Sequence, residues 1–258
     1  SMDEMTNISK VGRERLKEEY SLGVTLPSAC QVSSDGTKKY LFPVGEGNAV
    51  EAVMIPDDDR KTLCVSSQAG CRMGCKFCMT GRQGFHGNLT VADILSQFVA
   101  IDESPDLTNA VFMGMGEPLD NFDNVMRFLE IVNNPNGLNI GMRHISLSTC
   151  GLAERIRELA DRQLQLTLSV SLHAPNDEKR SKIMPVNRRY PIKTLIDACR
   201  YYIDKTNRRI SFEYTLINGV NDTEEEAKEL LKLISGMLCH VNLIPVNEVK
   251  ETGFSASG

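Results

Sequence analysis

From Thr62 to the carboxyl end, strand-like and helix-like stretches alternate without interruption, and this alternation constrains the fold more than any other feature. Short β-branched, apolar runs at 63–66, 110–113, 144–148, 166–172, 210–217 and 241–246 predict six strands. Helical periodicity at 91–101, 122–132, 152–160, 192–203 and 223–234 predicts the helices between them. Thr90 and Asp222 stand where N-caps are expected, the latter before three glutamates that suit a first turn. Parallel strands need crossover helices, so six such units predict an α/β fold, a partial (β/α)6 barrel over residues 61–258. Residues 1–60 read as a short N-terminal extension. Its first 20 residues are polar and helix-like without an apolar stripe, and Ser33-Ser34-Asp35-Gly36 predicts a hairpin turn.

Composition narrows the functional classes. A formal net charge of −5 gives no global attraction to phosphate, so any nucleic-acid surface has to be a local basic patch. No apolar run approaches the roughly 20 residues of a membrane span, and no signal peptide precedes the fold. Three of the eight cysteines crowd into eight consecutive residues. That pattern favours a cytoplasmic, reducing setting and metal binding over a disulfide framework.

The crowded stretch, Cys71-Arg72-Met73-Gly74-Cys75-Lys76-Phe77-Cys78, follows the first barrel strand with C-x3-C-x2-C spacing. Soft thiolates select zinc, Cu(I) or iron–sulfur clusters. A structural zinc site takes a fourth ligand, usually from a second close pair, and the remaining Cys and His residues are scattered singly. A thioredoxin-like reading of Cys75 and Cys78 leaves Cys71 surplus. A cubane held by three thiolates keeps one iron open to a small ligand. Gly70, Gly74 and Gly81 let such a loop turn tightly, and Phe77 would shield a cluster edge from water.

Several further words resemble the RlmN/Cfr family of the radical S-adenosylmethionine superfamily. They are Cys64-Val65-Ser66-Ser67-Gln68-Ala69-Gly70-Cys71, Gly81-Arg82-Gln83-Gly84-Phe85, Gly114-Met115-Gly116-Glu117-Pro118-Leu119 and Ser171-Leu172-His173-Ala174-Pro175-Asn176-Asp177. The resemblance runs from Asp3 to Asn247. Members of the family methylate an adenine carbon in RNA, at C2 or, in one branch, at C8. The resemblance implies a [4Fe–4S] cluster on Cys71, Cys75 and Cys78 with S-adenosylmethionine on its open iron. It implies cofactor contacts at Gly116, Glu117, Ser148, Ser171, Leu172, His173 and Asn247. It also makes Glu51 a general base and Cys64 a resolving cysteine that forms a disulfide during the reaction. From the residues alone, Glu51 reads as the outer face of a strand, Cys64 as a buried strand cysteine and His173 as structural; Ser148 and Ser171 could simply satisfy strand ends.

The implied partners are ribosomal RNA, with transfer RNA a further candidate, and a flavodoxin-type electron donor; the implied state is a monomer. Arg72, Lys76, Arg82, Arg143, Arg180, Arg188 and Arg189 are candidates for RNA phosphates, although solvated surface charge accounts for most of them. In the family the methyl-carrying cysteine lies in a Cys-Gly-Gln-Leu ending that residues 1–258 do not contain. By resemblance the chain therefore reads as a catalytic core truncated at both ends, able to bind its cofactors but turning RNA over poorly. Cys30, Cys150, Cys199 and Cys239 lie outside any methyl-carrying context, and Cys199 and Cys239 read as core. A radical enzyme with another substrate, or an RNA-binding module without catalysis, are the rival readings.

Overall fold

The computed structural model describes residues 2–257. Helix α1 (Lys10–Glu19) starts at Ser9, whose hydroxyl accepts the Gly12 amide, and it buries none of its residues. Three antiparallel strands follow: β1 (Ala29–Val32), β2 (Lys38–Val44) and β3 (Asn48–Asp57). The turn joining β1 to β2 is the one expected, with the Asp35 carboxylate accepting both the amide and the hydroxyl of Thr37. Strand β4 (Arg60–Cys64) pairs antiparallel with β3. Next come β5 (Gln68–Gly70), the one-turn helix α2 (Met79–Arg82) and β6 (Phe85–Asn88), of which β5 and β6 form a separate two-stranded sheet. Helices and strands then alternate: α3 (Val91–Val99), β7 (Asn109–Phe112), α4 (Phe122–Asn133), β8 (Ile145–Thr149), α5 (Ala153–Asp161) and β9 (Thr167–Ser171). Helices α6 (Asp177–Ile183) and α7 (Ile192–Thr206), strand β10 (Ile210–Leu216), α8 (Glu224–Ile234) and β11 (Cys239–Pro245) complete the chain.

The main sheet has the order β1-β2-β3-β4-β7-β8-β9-β10-β11, with parallel pairing from β4 to β11. Successive parallel strands of this sheet lie side by side, and right-handed crossovers then place the helices that join them on the same face. Burial shows which face that is. Leu63, Ala110, Ile145, Leu147, Leu168 and Val170 are fully covered and pack in one core with Ile94, Phe98, Phe128, Leu129, Ile156 and Leu159 from the helices. Each buried Leu, Ile, Val or Phe side chain contributes about 1.5–3 kcal/mol by leaving water. The alternate positions carry Cys64, Ser146, Ser148, Ser169, Ser171, Ser211 and Glu213. A parallel strand covered on both faces reads as a continuous apolar run. The polar alternation here marks the uncovered inner face of the partial barrel.

Two helix starts show how side chains fix the crossovers. Thr90 caps α3 in a reciprocal box with Asp93, as expected. At α8 the cap is Thr223, paired with Glu226, and not Asp222. Asp222 sits one residue too early and instead accepts the Gly219 amide and the Ser257 hydroxyl. Among the described residues no helix is long and apolar enough to cross a membrane.

Candidate active site

The cysteine loop leaves β5 and returns through α2 to β6, so the β5–β6 hairpin clamps both of its ends. Gly70 takes φ +68°, and a Cβ there would lie 1.9 Å from the Gly84 carbonyl oxygen. That same oxygen accepts the Cys71 amide at 2.8 Å, which fixes the first thiol. Midway round the loop, the Lys76 amide donates to the Ile183 carbonyl at 2.9 Å and ties the loop to the end of α6. Gly116, with φ +101°, lets the turn after β7 press against β5, since a Cβ would sit 2.6 Å from the Gln68 Cβ. Gln68 in turn accepts the Glu117 amide at 2.9 Å and donates to Asp120 and Asn88 at 2.8 Å each.

Cys71, Cys75 and Cys78 are free, half-buried thiols lining one cleft of about 310 Å³ at the carboxyl ends of the parallel strands. Gly116, Glu117, Ser148, Ser171 and His173 line the same cleft. Burial pushes the Cys71 thiol up to about 11 and the Cys75 thiol up to about 12, so both stay protonated until a metal displaces the proton. Among the described residues no three His, Cys, Asp or Glu side chains converge on a single point. The donor set suits a cubane, whose cysteines each bind a separate iron.

Glu117 is 3% exposed and accepts the amides of Leu119 at 3.0 Å and Cys150 at 2.7 Å. Burial raises its pKa, while those amides and the side chains of Cys150 and Thr149 favour the carboxylate. A carboxylate held in this way at the wall of the cleft suits a cationic group such as a primary ammonium. His173 takes φ +55°, and its Nδ1 accepts the Thr215 amide at 2.9 Å. The proton of the neutral ring therefore lies on Nε2. Burial and the nearby Arg180 charge lower its pKa to about 3, and its ring meets Phe77 edge to face at 4.8 Å. Because unfolded histidine titrates near 6.5, the unfolded state takes up the proton first, and stability should fall as pH drops from about 6.5 toward 3. Urea titrations across that range should show a shallower loss for His173→Gln than for the wild type; equal slopes would refute the assignment.

The other candidate residues lie outside the lining of the cleft. Arg180 is neither solvated nor available to RNA: it is wholly buried, because α6 packs it beneath the cleft. Its Nε donates to the Leu172 carbonyl at 3.1 Å, and its Nη2 to those of Cys150 and Ser171 at 2.7 and 3.0 Å. Its Nη1 donates to Asn187 Oδ1 at 3.0 Å. Arg72 pairs with Asp120 at 2.9 Å and stacks on Phe85. Leu172 has its side chain in the core, and Asn247 lies exposed beyond β11, outside the residues lining the cleft. Glu51 shares a sheet face with Val53, the register partner of Cys64, near the end of the sheet where β4 finishes. It pairs with Lys39 at 3.0 Å rather than reaching the cleft. Cys64 is a free thiol whose pKa burial raises, and all eight cysteines are free. Cys199 is buried, Cys30 is exposed, and Cys239 lies inside β11 only partly covered.

The cleft also contains Glu213, Asn242, Cys150 and Thr149, which the motifs did not single out. A signal existed for Glu213: Ser211, Glu213 and Thr215 alternate with Phe212 and Tyr214 along a barrel strand, and alternation there means an inward-facing polar row.

A parallel sheet with a three-thiol loop and a buried carboxylate at its carboxyl edge suits a protein that holds a metal cluster beside a small ligand. Comparison with known proteins agrees. The family model described as "Radical SAM superfamily" matches residues 65–234. The chain is 53% identical over its whole length to a "Probable dual-specificity RNA methyltransferase RlmN" of Clostridium perfringens (strain SM101 / Type A), covering 75% of that protein. It is 52% identical, over 97% of its length and 74% of the relative's, to the protein of the same description from Clostridioides difficile (strain 630). A radical SAM methyltransferase structure from Sphaerobacter thermophilus superposes over the whole chain and 77% of that structure, with a TM-score of 0.95 and 44% identity. The chain belongs to the radical SAM superfamily, and within it to the RlmN family of methyltransferases. Membership implies an iron–sulfur cluster and S-adenosylmethionine.

Proposed function

We propose that the chain methylates C2 of an adenosine in large-subunit ribosomal RNA, with transfer RNA as a second substrate class, in the cytoplasm and as a monomer. The observation that carries this reading is the shared cleft, in which three free thiols, a buried carboxylate and a neutral histidine surround one volume. Its place is in a chain about half identical to proteins named dual-specificity RNA methyltransferases. A [4Fe–4S] cluster and S-adenosylmethionine bound there supply one-electron cleavage of a sulfonium carbon–sulfur bond, fed by a flavodoxin-type donor.

The protein's own residues bind, orient and exclude water. Cys71, Cys75 and Cys78 hold three irons, and Glu117 receives the amino group of the cofactor. Ser148, Ser171 and the Nε2 proton of His173 orient its polar atoms, with Leu172 contributing through its backbone and Asn247 from the end of the last strand. Phe77 and Met113 line the cleft and keep it dry. Glu51 would move a proton near the end of the sheet where β4 finishes, and Cys64 would attack the sulfur of a cysteine-linked RNA adduct, forming a disulfide as the sulfur–carbon bond breaks and the carbon keeps the electron pair and takes up a proton.

The test is anaerobic reconstitution with iron and sulfide, followed by S-adenosylmethionine, dithionite and unmethylated ribosomal RNA. The expected products are 5′-deoxyadenosine and, in low yield, RNA whose digested nucleosides include 2-methyladenosine. Methylation at C8 would move the chain to the other branch of the family. No 5′-deoxyadenosine would sink the reading.

A further inference from the structure

The cleft holds two buried carboxylates, and only one has a role above. Glu117 follows β7, the strand next to β4 and the cysteine loop; its charge is felt at the Cys71 and Cys75 thiols. Glu213 lies on β10, three strands further along the sheet, or about 14 Å at the usual strand spacing before curvature closes the distance. The two carboxylates therefore address opposite ends of whatever fills the cleft.

Glu213 is 7% exposed and held by its neighbours. Its Oε1 accepts the Ser211 hydroxyl at 2.7 Å, and its Oε2 accepts the Asn242 side-chain amide at 2.8 Å. In the sheet register Glu213 stands level with Ser171 on β9 and Asn242 on β11, and all three line the cleft. Among the described residues no lysine or arginine pairs with it in a salt bridge. A carboxylate has about four acceptor sites. Ser211 and Asn242 fill one on each oxygen, leaving one free on each, side by side and fixed in direction. Two adjacent acceptors with no donor select a ligand that offers two adjacent donors. S-adenosylmethionine offers such a pair far from its amino end, the ribose 2′ and 3′ hydroxyls.

We infer that Glu213 is the specificity-determining carboxylate for the cofactor's ribose diol, held in place by Ser211 and Asn242. This rests on the proposed function, because it assumes that S-adenosylmethionine occupies the cleft with its amino end at Glu117. The assignment divides the labour between the carboxylates: Glu117 reads the amino acid end and Glu213 the nucleoside end. It also gives β10 and β11, which carry none of the family motif residues before Asn247, a direct part in binding.

The measurement is equilibrium binding of S-adenosylmethionine and of its 2′-deoxy and 3′-deoxy forms to the cluster-loaded protein. Wild type should lose about ten- to a hundredfold in affinity when either hydroxyl is removed, the range for a hydrogen bond to a charged group. Glu213→Gln should bind S-adenosylmethionine about as weakly as wild type binds the deoxy forms, and should no longer distinguish them. Ser211→Ala, which leaves the carboxylate but frees its orientation, should show an intermediate discrimination, and it keeps the test open if Glu213→Gln folds poorly. Wild type binding all three ligands equally would overturn the assignment and leave the proposed function standing. Weakened RNA binding by Glu213→Gln with unchanged cofactor affinity would also overturn it, in favour of a contact to substrate. Wild type that binds none of the three would overturn the proposed function and this assignment together.

Discussion

Cys75→Ala should leave a folded protein that retains little iron, forms no 5′-deoxyadenosine and methylates no RNA. Cys75 is the middle thiol of the loop, and burial alone would keep it protonated, near 12. Only a metal bonded to it offsets that cost, so the loss should appear first as missing iron and sulfide and only then as missing turnover. The rate should drop at least about a millionfold, to the uncatalysed background, because the other groups of the cleft bind and orient but generate no radical. Cys199→Ala is the control for a thiol removed from the core, and it should keep its full iron content. Iron content and 5′-deoxyadenosine yield that survive in Cys75→Ala would show that the three thiols are not the cluster's ligands.

The barrel was legible in the sequence because each of its strands and crossover helices repeats one local pattern. The predicted strand at 110–113 is Asn109–Phe112, and the predicted helix at 122–132 is Phe122–Asn133. Helix α6 was not legible. Its seven residues, Asp-Glu-Lys-Arg-Ser-Lys-Ile, carry four basic or acidic side chains in a row and no stripe, yet they place Arg180 in the core. Nothing local distinguishes an arginine that seeks carbonyls across the molecule from one that seeks water. The ten-residue strand β3 was also underread, since its role is set by pairing with β4, a tertiary fact.

The site divides in the same way. The cysteine spacing and the Gly114–Leu119 word named the loop and Glu117, whose geometry is local. His173 could be named but not given a tautomer, because Nδ1 is claimed by an amide 42 residues later. Glu213 was hidden for a different reason: its motif is an alternation within one strand, which means little until that strand is known to line a cleft.

Arg180→Leu should cost about 3–5 kcal/mol of folding stability and weaken cofactor binding as well. Two effects oppose each other. A guanidinium buried with no bonded carboxylate carries a desolvation penalty of several kcal/mol, which leucine removes. Against that, the side chain makes four hydrogen bonds, to the carbonyls of Leu172, Ser171 and Cys150 and to Asn187. Charged hydrogen bonds contribute about 1.5–3 kcal/mol each, so their sum, roughly 6–12 kcal/mol, exceeds the penalty. The three carbonyls left behind lie at the carboxyl ends of β8 and β9, beside the cleft, and leucine offers them no donor. Ser171 and Cys150 would then lose their fixed positions, and with them the Cys150 amide that holds Glu117. The cysteine loop would loosen too, since Lys76 is bonded to the end of the same helix. Arg180→Lys keeps the charge but cannot fork to four acceptors, and it should recover less than half of the loss. Urea midpoints for the three proteins measure the first effect, and S-adenosylmethionine affinity the second. An Arg180→Leu protein as stable as wild type would mean that the four bonds no more than offset the burial of the charge.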